Sequence, residues 1–133
     1  MKIVIIGGGK VGSKLSEELS NESHDVTVIE QDVDVINRIN SNQDVACING
    51  NAINREILKE AGVEEADLLI GCTSSDEINM FSCLVAKNLG AKNTIARVRN
   101  PEYYSQLNYI KEDLGLSMII NPEFVAANVI SRI

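Results

Sequence analysis

"MKIVIIGGGKVGSKL", residues 1–15, sets four apolar residues, Ile3 to Ile6, hard against three glycines, with a fourth glycine at position 12. An unbroken apolar tetrad marks a short strand covered on both faces, because a half-exposed strand would alternate. From Lys10 the period changes. Val11, Leu15 and Leu19 recur at four-residue spacing, which predicts a helix from Lys10 to about Asn21. The glycines therefore form a strand-to-helix turn, and within it Gly7, Gly9 and Gly12 spell G-x-G-x-x-G. That pattern alone is weak, since glycine-rich turns are common. The rest of the chain decides between a phosphate-binding turn and a plain tight bend.

Working outward, the same rhythm repeats. "DVTVIEQD" (25–32) reads as a strand ending at Glu30, followed by a helix that Asp32 caps and that turns Val35, Ile36 and Ile39 to one face. "DVACINGN" (44–51) is a third strand, and Asn54 caps a short helix closed by Gly62. "ADLLIGCT" (66–73) is a fourth strand, with a helix behind it that stops at Gly90. "NTIARVRNP" (93–101) is a fifth, halted by Pro101 and followed by a polar helix with three tyrosines. "LSMIINP" (116–122) is the sixth, after which Pro122 opens a last helix. Strands separated by helices pair in parallel, since antiparallel neighbours are joined by tight turns. The predicted fold is a single α/β domain, a Rossmann-like doubly wound six-stranded parallel sheet with helices on both faces.

In that context the glycine turn follows a strand, opens a helix, lies in the first βαβ unit, and is answered by an acid at the end of the second strand. Gly7 permits the sharp turn, Gly9 lets a pyrophosphate approach the backbone, and Gly12 lets helix and strand pack closely. The helix N-terminus then offers unpaired N–H groups to phosphate. Glu30, 18 positions past Gly12, can accept hydrogen bonds from both ribose hydroxyls and repels a 2′-phosphate; its other reading is a solvated strand-end acid. The expected ligand is NAD(H), with ATP or ADP as the alternative, and not NADP. Lys10 either sits beside phosphates, its own or a neighbouring subunit's, or points into water. Asn51 and Ala52 leave strand three at the edge where adenine would lie. Thr73 and Ser74 leave strand four beside the crevice, although Ser74 or Ser75 equally suits a helix cap. Arg97 interrupts an otherwise apolar strand, and a buried arginine needs an anionic partner: a pyrophosphate, or Asp76 or Glu77.

The composition excludes several classes. The chain has 133 residues, 44% hydrophobic and 23% charged, enough to bury a core without disulfides or metal. A net charge of −7 with no tryptophan lacks the basic stripe and stacking rings of a nucleic-acid binder. No apolar run approaches the ~20 residues of a membrane-spanning helix, and the apolar stretch behind Lys2 is too short for a signal peptide, so direct membrane insertion is not expected and a cytoplasmic location is. Cys47, Cys72 and Cys83 have no C-x-x-C spacing and read as reduced, buried small hydrophobes. Catalytic signatures are missing as well. The single histidine, His24, precedes the second strand, at the edge of the sheet away from the crevice. Tyr103, Tyr104 and Tyr109 are followed four residues on by Leu107, Asn108 and Asp113, so no Tyr-x-x-x-Lys pair exists. A non-catalytic binding protein is expected. The alternatives are a small NAD-dependent oxidoreductase, or a fragment of one, and a ligand-free scaffold.

"MKIVIIGGGKVG", "VTVIEQD", "NGNA", "ADLLIGCTSSDEINM", "IARVRNPEY" and "IINPEFVAANVI" together make the whole chain similar to the N-terminal domain of TrkA/Ktr-type potassium-uptake regulators, the RCK or KTN module. The resemblance implies a cytoplasmic, non-catalytic regulatory subunit, peripheral to the membrane, that docks on a membrane potassium-translocating protein of Trk or Ktr type. It implies NAD(H) or ATP/ADP binding and assembly into homo-dimers and larger rings. It carries ligand contacts to the loop from Gly7 through Gly8, Gly9 and Lys10 to Val11, and to Glu30, Thr73, Ser74 and Arg97. Where many relatives end strand three in Gly-Asp-Ala, this chain has Gly50-Asn51-Ala52, losing a carboxylate. Glu123 is either a first-turn acid favouring the helix dipole or, in a ring, a ligand for a divalent cation shared with a neighbour's nucleotide. The last helix is expected to pack on another subunit, and the native chain to continue into a C-terminal domain.

Overall fold

In the computed structural model, which describes residues 1–120, six strands and five α-helices alternate. They are β1 (Lys2–Ile6), α1 (Lys10–Asn21), β2 (Asp25–Glu30), α2 (Val33–Asn42), β3 (Ala46–Asn49), α3 (Arg55–Glu60), β4 (Leu68–Gly71), α4 (Asp76–Leu89), β5 (Asn93–Arg97), α5 (Pro101–Ile110) and β6 (Met118–Ile120). All the strand pairs are parallel, and the order across the sheet is β3-β2-β1-β4-β5-β6. The expected doubly wound sheet is therefore observed. A short 3-10 turn, Val63–Glu65, was not foreseen; it reads as loop because three residues carry no periodicity. The last helix expected after Pro122, and Glu123 with it, lie outside the described residues.

The apolar tetrad explains why β1 is central. Alternation sends Ile3 and Ile5 into one core with Leu15 and Leu19 of α1 and Ile39 of α2. Val4 and Ile6 go into the other, with Leu58 of α3, Cys83 and Ala86 of α4 and Leu107 of α5. Ile3, Val4 and Ile5 are fully buried, each stabilising the fold by roughly 2 kcal/mol relative to an exposed side chain.

Two helix starts follow the anticipated chemistry: Asp32 accepts from the Asp34 amide and Asn54 from those of Glu56 and Ile57. Asn100, not singled out from the sequence, caps α5 by accepting from the Glu102 amide, with Pro101 opening the helix. Ser75, not Ser74, caps α4, accepting from Ile78 N. The three cysteines are free, with Cys72 and Cys83 buried. Cys47 departs from expectation in being only half buried, because β3 is the sheet's edge.

At the edge away from the strands' carboxyl ends, Asp67 ties the layers together. Its Oδ2 accepts from Lys2 N at 2.9 Å and its Oδ1 meets Lys92 Nζ at 3.2 Å. The Lys2 amide bond and then the Lys92 ammonium hold its carboxyl below the usual carboxylate value. A depressed folded-state value means stability present above the unfolded value and lost as pH falls through the folded one. Urea midpoints of the wild type should therefore drop below about pH 4, and Asp67→Asn should flatten that part of the acid limb.

Candidate functional site

The strand order reverses between β1 and β4, and the diverging connections open a cleft of about 550 Å³ over the carboxyl ends of the strands. The glycine turn supplies its floor. Gly7 has φ +96°, a conformation glycine adopts without steric cost, and donates to Ile29 O at 2.9 Å. A Cβ on Gly12 would fall 1.9 Å from the Gly7 carbonyl oxygen, so the first turn of α1 rests on the strand exit backbone to backbone. At Gly9 a Cβ would meet no heavy atom within 4 Å, and the residue's φ of −69° suits any side chain. Gly12 is thus glycine because the fold demands it, whereas at Gly9 the protein's own packing makes no such demand. The first helical bond of α1, Ser13 N to Gly9 O at 2.8 Å, leaves the amides of Lys10, Val11 and Gly12 without intrahelical partners. No side chain caps this helix start.

Of the residues singled out from the sequence, Gly7, Gly9, Lys10, Val11, Glu30, Ala52, Thr73, Ser74 and Arg97 converge on the cleft. Three do not line it. Gly12 is buried behind the turn. Gly8 turns the other way: a Cβ there would lie 2.6 Å from Ile39 Cδ1, and its amide is taken by Glu30. Asn51 is exposed, its Oδ1 folded back on Ile53 N at 3.1 Å in a local turn.

Glu30 is held at the cleft wall by three main-chain amides. Oε1 accepts from Gly8 N at 2.7 Å, and Oε2 from Gln31 N at 2.8 Å and Asp32 N at 2.9 Å. The carboxylate is not a loose strand-end acid but an oriented one, its charge compensated by N–H dipoles. Arg97 enters from the end of β5. Its Nη1 donates to Cys72 O at 3.4 Å and Thr73 O at 3.3 Å, while its Nε is buried without a hydrogen-bond partner. Among the described residues Arg97 makes no ion pair. The alternative pairing with Asp76 or Glu77 does not form: the Asp76 carboxylate accepts from Arg99 N at 3.0 Å and Asn100 N at 2.8 Å, and Glu77 is exposed. A buried guanidinium donor with nothing to donate to is costly, and an anion in the cleft would satisfy it.

Thr73 corrects part of the sequence reading. Its hydroxyl and its amide both donate to Asn79 Oδ1, at 2.7 and 2.8 Å, so the hydroxyl faces α4 and not the cleft. Asn79, fully buried on α4, is the residue that sequence reasoning passed over; an amide at helical spacing from Cys83 and Ala86 on the buried face was the available signal. His24 stands at the opposite edge of the sheet, its Nδ1 3.0 Å from the N-terminal amine. Among the described residues no cluster of His, Cys, Asp or Glu is arranged to hold a metal ion, and no helix is long and apolar enough to cross a membrane.

A parallel doubly wound sheet whose order reverses over a glycine turn, with an acid at the tip of the second strand, defines a Rossmann-type domain. The TrkA-N domain family model matches residues 3–122, and the chain belongs to that family. Over its whole length it is 44% identical to a Trk system potassium uptake protein TrkA homolog of Archaeoglobus fulgidus and 35% identical to the TrkA protein of Vibrio alginolyticus, spanning 30% of each. Among solved structures it is similar to the TrkA-N domain of the inner membrane protein ybaL of Escherichia coli, with 26% identity and a TM-score of 0.78 over 98% of this chain and 91% of that one. The GsuK channel bound to NAD shares the fold at 21% identity and a TM-score of 0.76, over 90% of this chain and 21% of that one.

Two outcomes test this geometry. Gly12→Ala should destabilise the domain by roughly 3 kcal/mol or more in urea titrations, and Gly9→Ala by about 1 kcal/mol or less. Burial pushes the thiols of Cys72 and Cys83 up to about 12, so at pH 8 both are almost wholly protonated. Ellman's reagent should reach them only on unfolding, with half-buried Cys47 reacting first.

Proposed function

We propose that this domain binds an adenine nucleotide with a free 2′-hydroxyl, NAD(H) first and ATP or ADP as the alternative, and that it is the non-catalytic, nucleotide-sensing part of a regulator of membrane potassium uptake. The observation that carries the reading is Arg97: a buried, unpartnered guanidinium donor at a cleft whose floor is a row of uncapped helix amides. The ribose diol would lie against Glu30, whose fixed charge would also repel a 2′-phosphate. The phosphates would lie over Gly9, take hydrogen bonds from the Lys10 and Val11 amides, and meet Arg97. The names of the relatives support a role in potassium uptake. Nucleotide binding draws support from structures of the same fold, the GsuK channel bound to NAD, GsuK bound to ADP, and the Shewanella denitrificans Kef CTD in its AMP-bound form.

On this reading the domain works in the cytoplasm, docked on a membrane potassium-translocating subunit. Ligands act by shifting a conformational equilibrium, and a nucleotide can shift it only by its differential affinity for the two states. The domain also assembles with copies of itself. An apolar groove of about 430 Å³ between α4 and α5 exposes Phe81, Leu84 and Ile110 beside Met80 and Leu107, a patch of the kind that marks protein interfaces.

The site is tested by calorimetry and thermal melting with NAD, NADH, ATP, ADP and AMP. The wild type should be stabilised by at least one of them. Gly9→Val should abolish the stabilisation while leaving the unliganded domain folded. Arg97→Ala should weaken binding about tenfold to a hundredfold, matching the ~1.5–3 kcal/mol of a charge-assisted hydrogen bond. Unchanged stabilisation in both variants would discard the site. For assembly, light scattering should show an oligomer that Phe81→Glu reduces to monomer, and a monomeric wild type would remove that part of the reading.

A further inference from the structure

We infer that Asn79 is a positioning residue for Arg97: its buried amide ties the ends of β4 and β5 to α4 and so sets where the guanidinium points. The inference rests on the nucleotide-site reading above. Asn79 is 0% exposed and packs tightly on the end of β4: a Cβ on Gly71 would lie only 2.9 Å from Asn79 Cα. Every hydrogen-bonding position of its amide is taken. Oδ1 accepts from Thr73 N at 2.8 Å and Thr73 Oγ1 at 2.7 Å, and Nδ2 donates to Thr73 O at 3.1 Å and Arg97 O at 2.9 Å. Thr73 N can only donate and Arg97 O can only accept, so one orientation of the amide satisfies both.

The network converges on the residue it positions. Thr73 O accepts from Asn79 Nδ2 and also from Arg97 Nη1 at 3.3 Å. Arg97 is therefore gripped at both ends, its carbonyl by Asn79 directly and its guanidinium by a carbonyl that Asn79 also holds. Its Nε is left facing no protein acceptor. A buried amide costs stability unless fully bonded, and an aliphatic residue would fill this helix position without that burden. The four bonds go to two separate strand ends, and both residues they reach line the cleft. Anchoring Arg97 through Nη1 while leaving its buried Nε without a protein acceptor is pre-organisation for an anion.

A double-mutant cycle on dissociation constants tests this, with NADH and ADP titrated calorimetrically into wild type, Asn79→Asp, Arg97→Ala and the double variant. Asn79→Asp keeps the shape and the Oδ1 acceptor but sets a carboxylate oxygen against the Thr73 and Arg97 carbonyls. It should weaken binding at least tenfold in the wild-type background and less than twofold in the Arg97→Ala background, because the position acts through the arginine. Asn79→Ser, smaller and neutral, should show the same non-additivity and serves if thermal melting finds Asn79→Asp unfolded. Equal losses in both backgrounds, or wild-type affinity in the folded Asn79 variants, would overturn the inference while leaving the nucleotide site standing. A wild type that binds neither nucleotide would instead remove the site reading, and this inference with it.

Discussion

One backbone contact governs the arrangement. The Gly7 carbonyl occupies the space that any side chain at position 12 would need, so α1 begins against the end of β1 with no atoms to spare between them. That proximity fixes the axis of α1, and with it the place where three unpaired amides and the positive end of the helix dipole emerge. The other helices emphasise the point. Asp32, Asn54, Ser75 and Asn100 cap α2, α3, α4 and α5 with side-chain oxygens that accept from first-turn amides, while α1 starts on a glycine with no such oxygen. Whatever satisfies those amides has to come from outside the turn.

A second close approach explains why an acid far along the chain belongs to the glycine turn. Because Gly8 has no side chain, Ile39 closes on the turn and the Gly8 amide reaches Glu30 at 2.7 Å. Three amide dipoles then offset the Glu30 charge locally. In a chain of net charge −7, the cleft brings together Lys10, Arg97 and a helix N-terminus. Against that overall negative charge, these groups give the cleft local donors and positive charge for an anion.

Legibility in the sequence tracked the range of the interaction. The strands, the helix starts and the parallel order of β1 to β6 rest on local signals: apolar runs, capping residues two or three positions before their amides, and period changes. These were readable. The roles of Gly7 and Gly12 were readable too, because a turn between a strand and a helix leaves few options. What the sequence does not show is which partner each polar side chain takes once the chain is folded. A ligand contact is expected of Thr73 from its place after strand four, and nothing along the chain shows that Asn79, six residues on, claims its hydroxyl. Asn51 was placed at the adenine edge, yet a local turn folds its side chain back on Ile53 N. Arg97 was recognised as anomalous from its apolar surroundings, but its choice between Asp76 and a ligand hinged on whether Asp76 was already engaged. The Arg99 and Asn100 amides engage it, a contact no spacing rule predicts.

That engagement has a consequence for how a bound anion would be felt elsewhere. Asp76 and Asn79 lie one turn apart at the start of α4. Asp76 holds the loop from β5 into α5, including Asn100, which caps α5; Asn79 holds the ends of β4 and β5. The opposite side of the same helix, with α5, forms the exposed apolar groove. A pull on Arg97 or on the turn at Thr73 is therefore borne by the helix that also builds the candidate assembly surface, through hydrogen bonds that are fully occupied and leave little slack. Interiors packed this way shift between discrete arrangements more readily than they deform. If the assembled form favours one setting of α4 against β5, an anion that prefers the same setting strengthens assembly, and assembly raises affinity for that anion by the same factor.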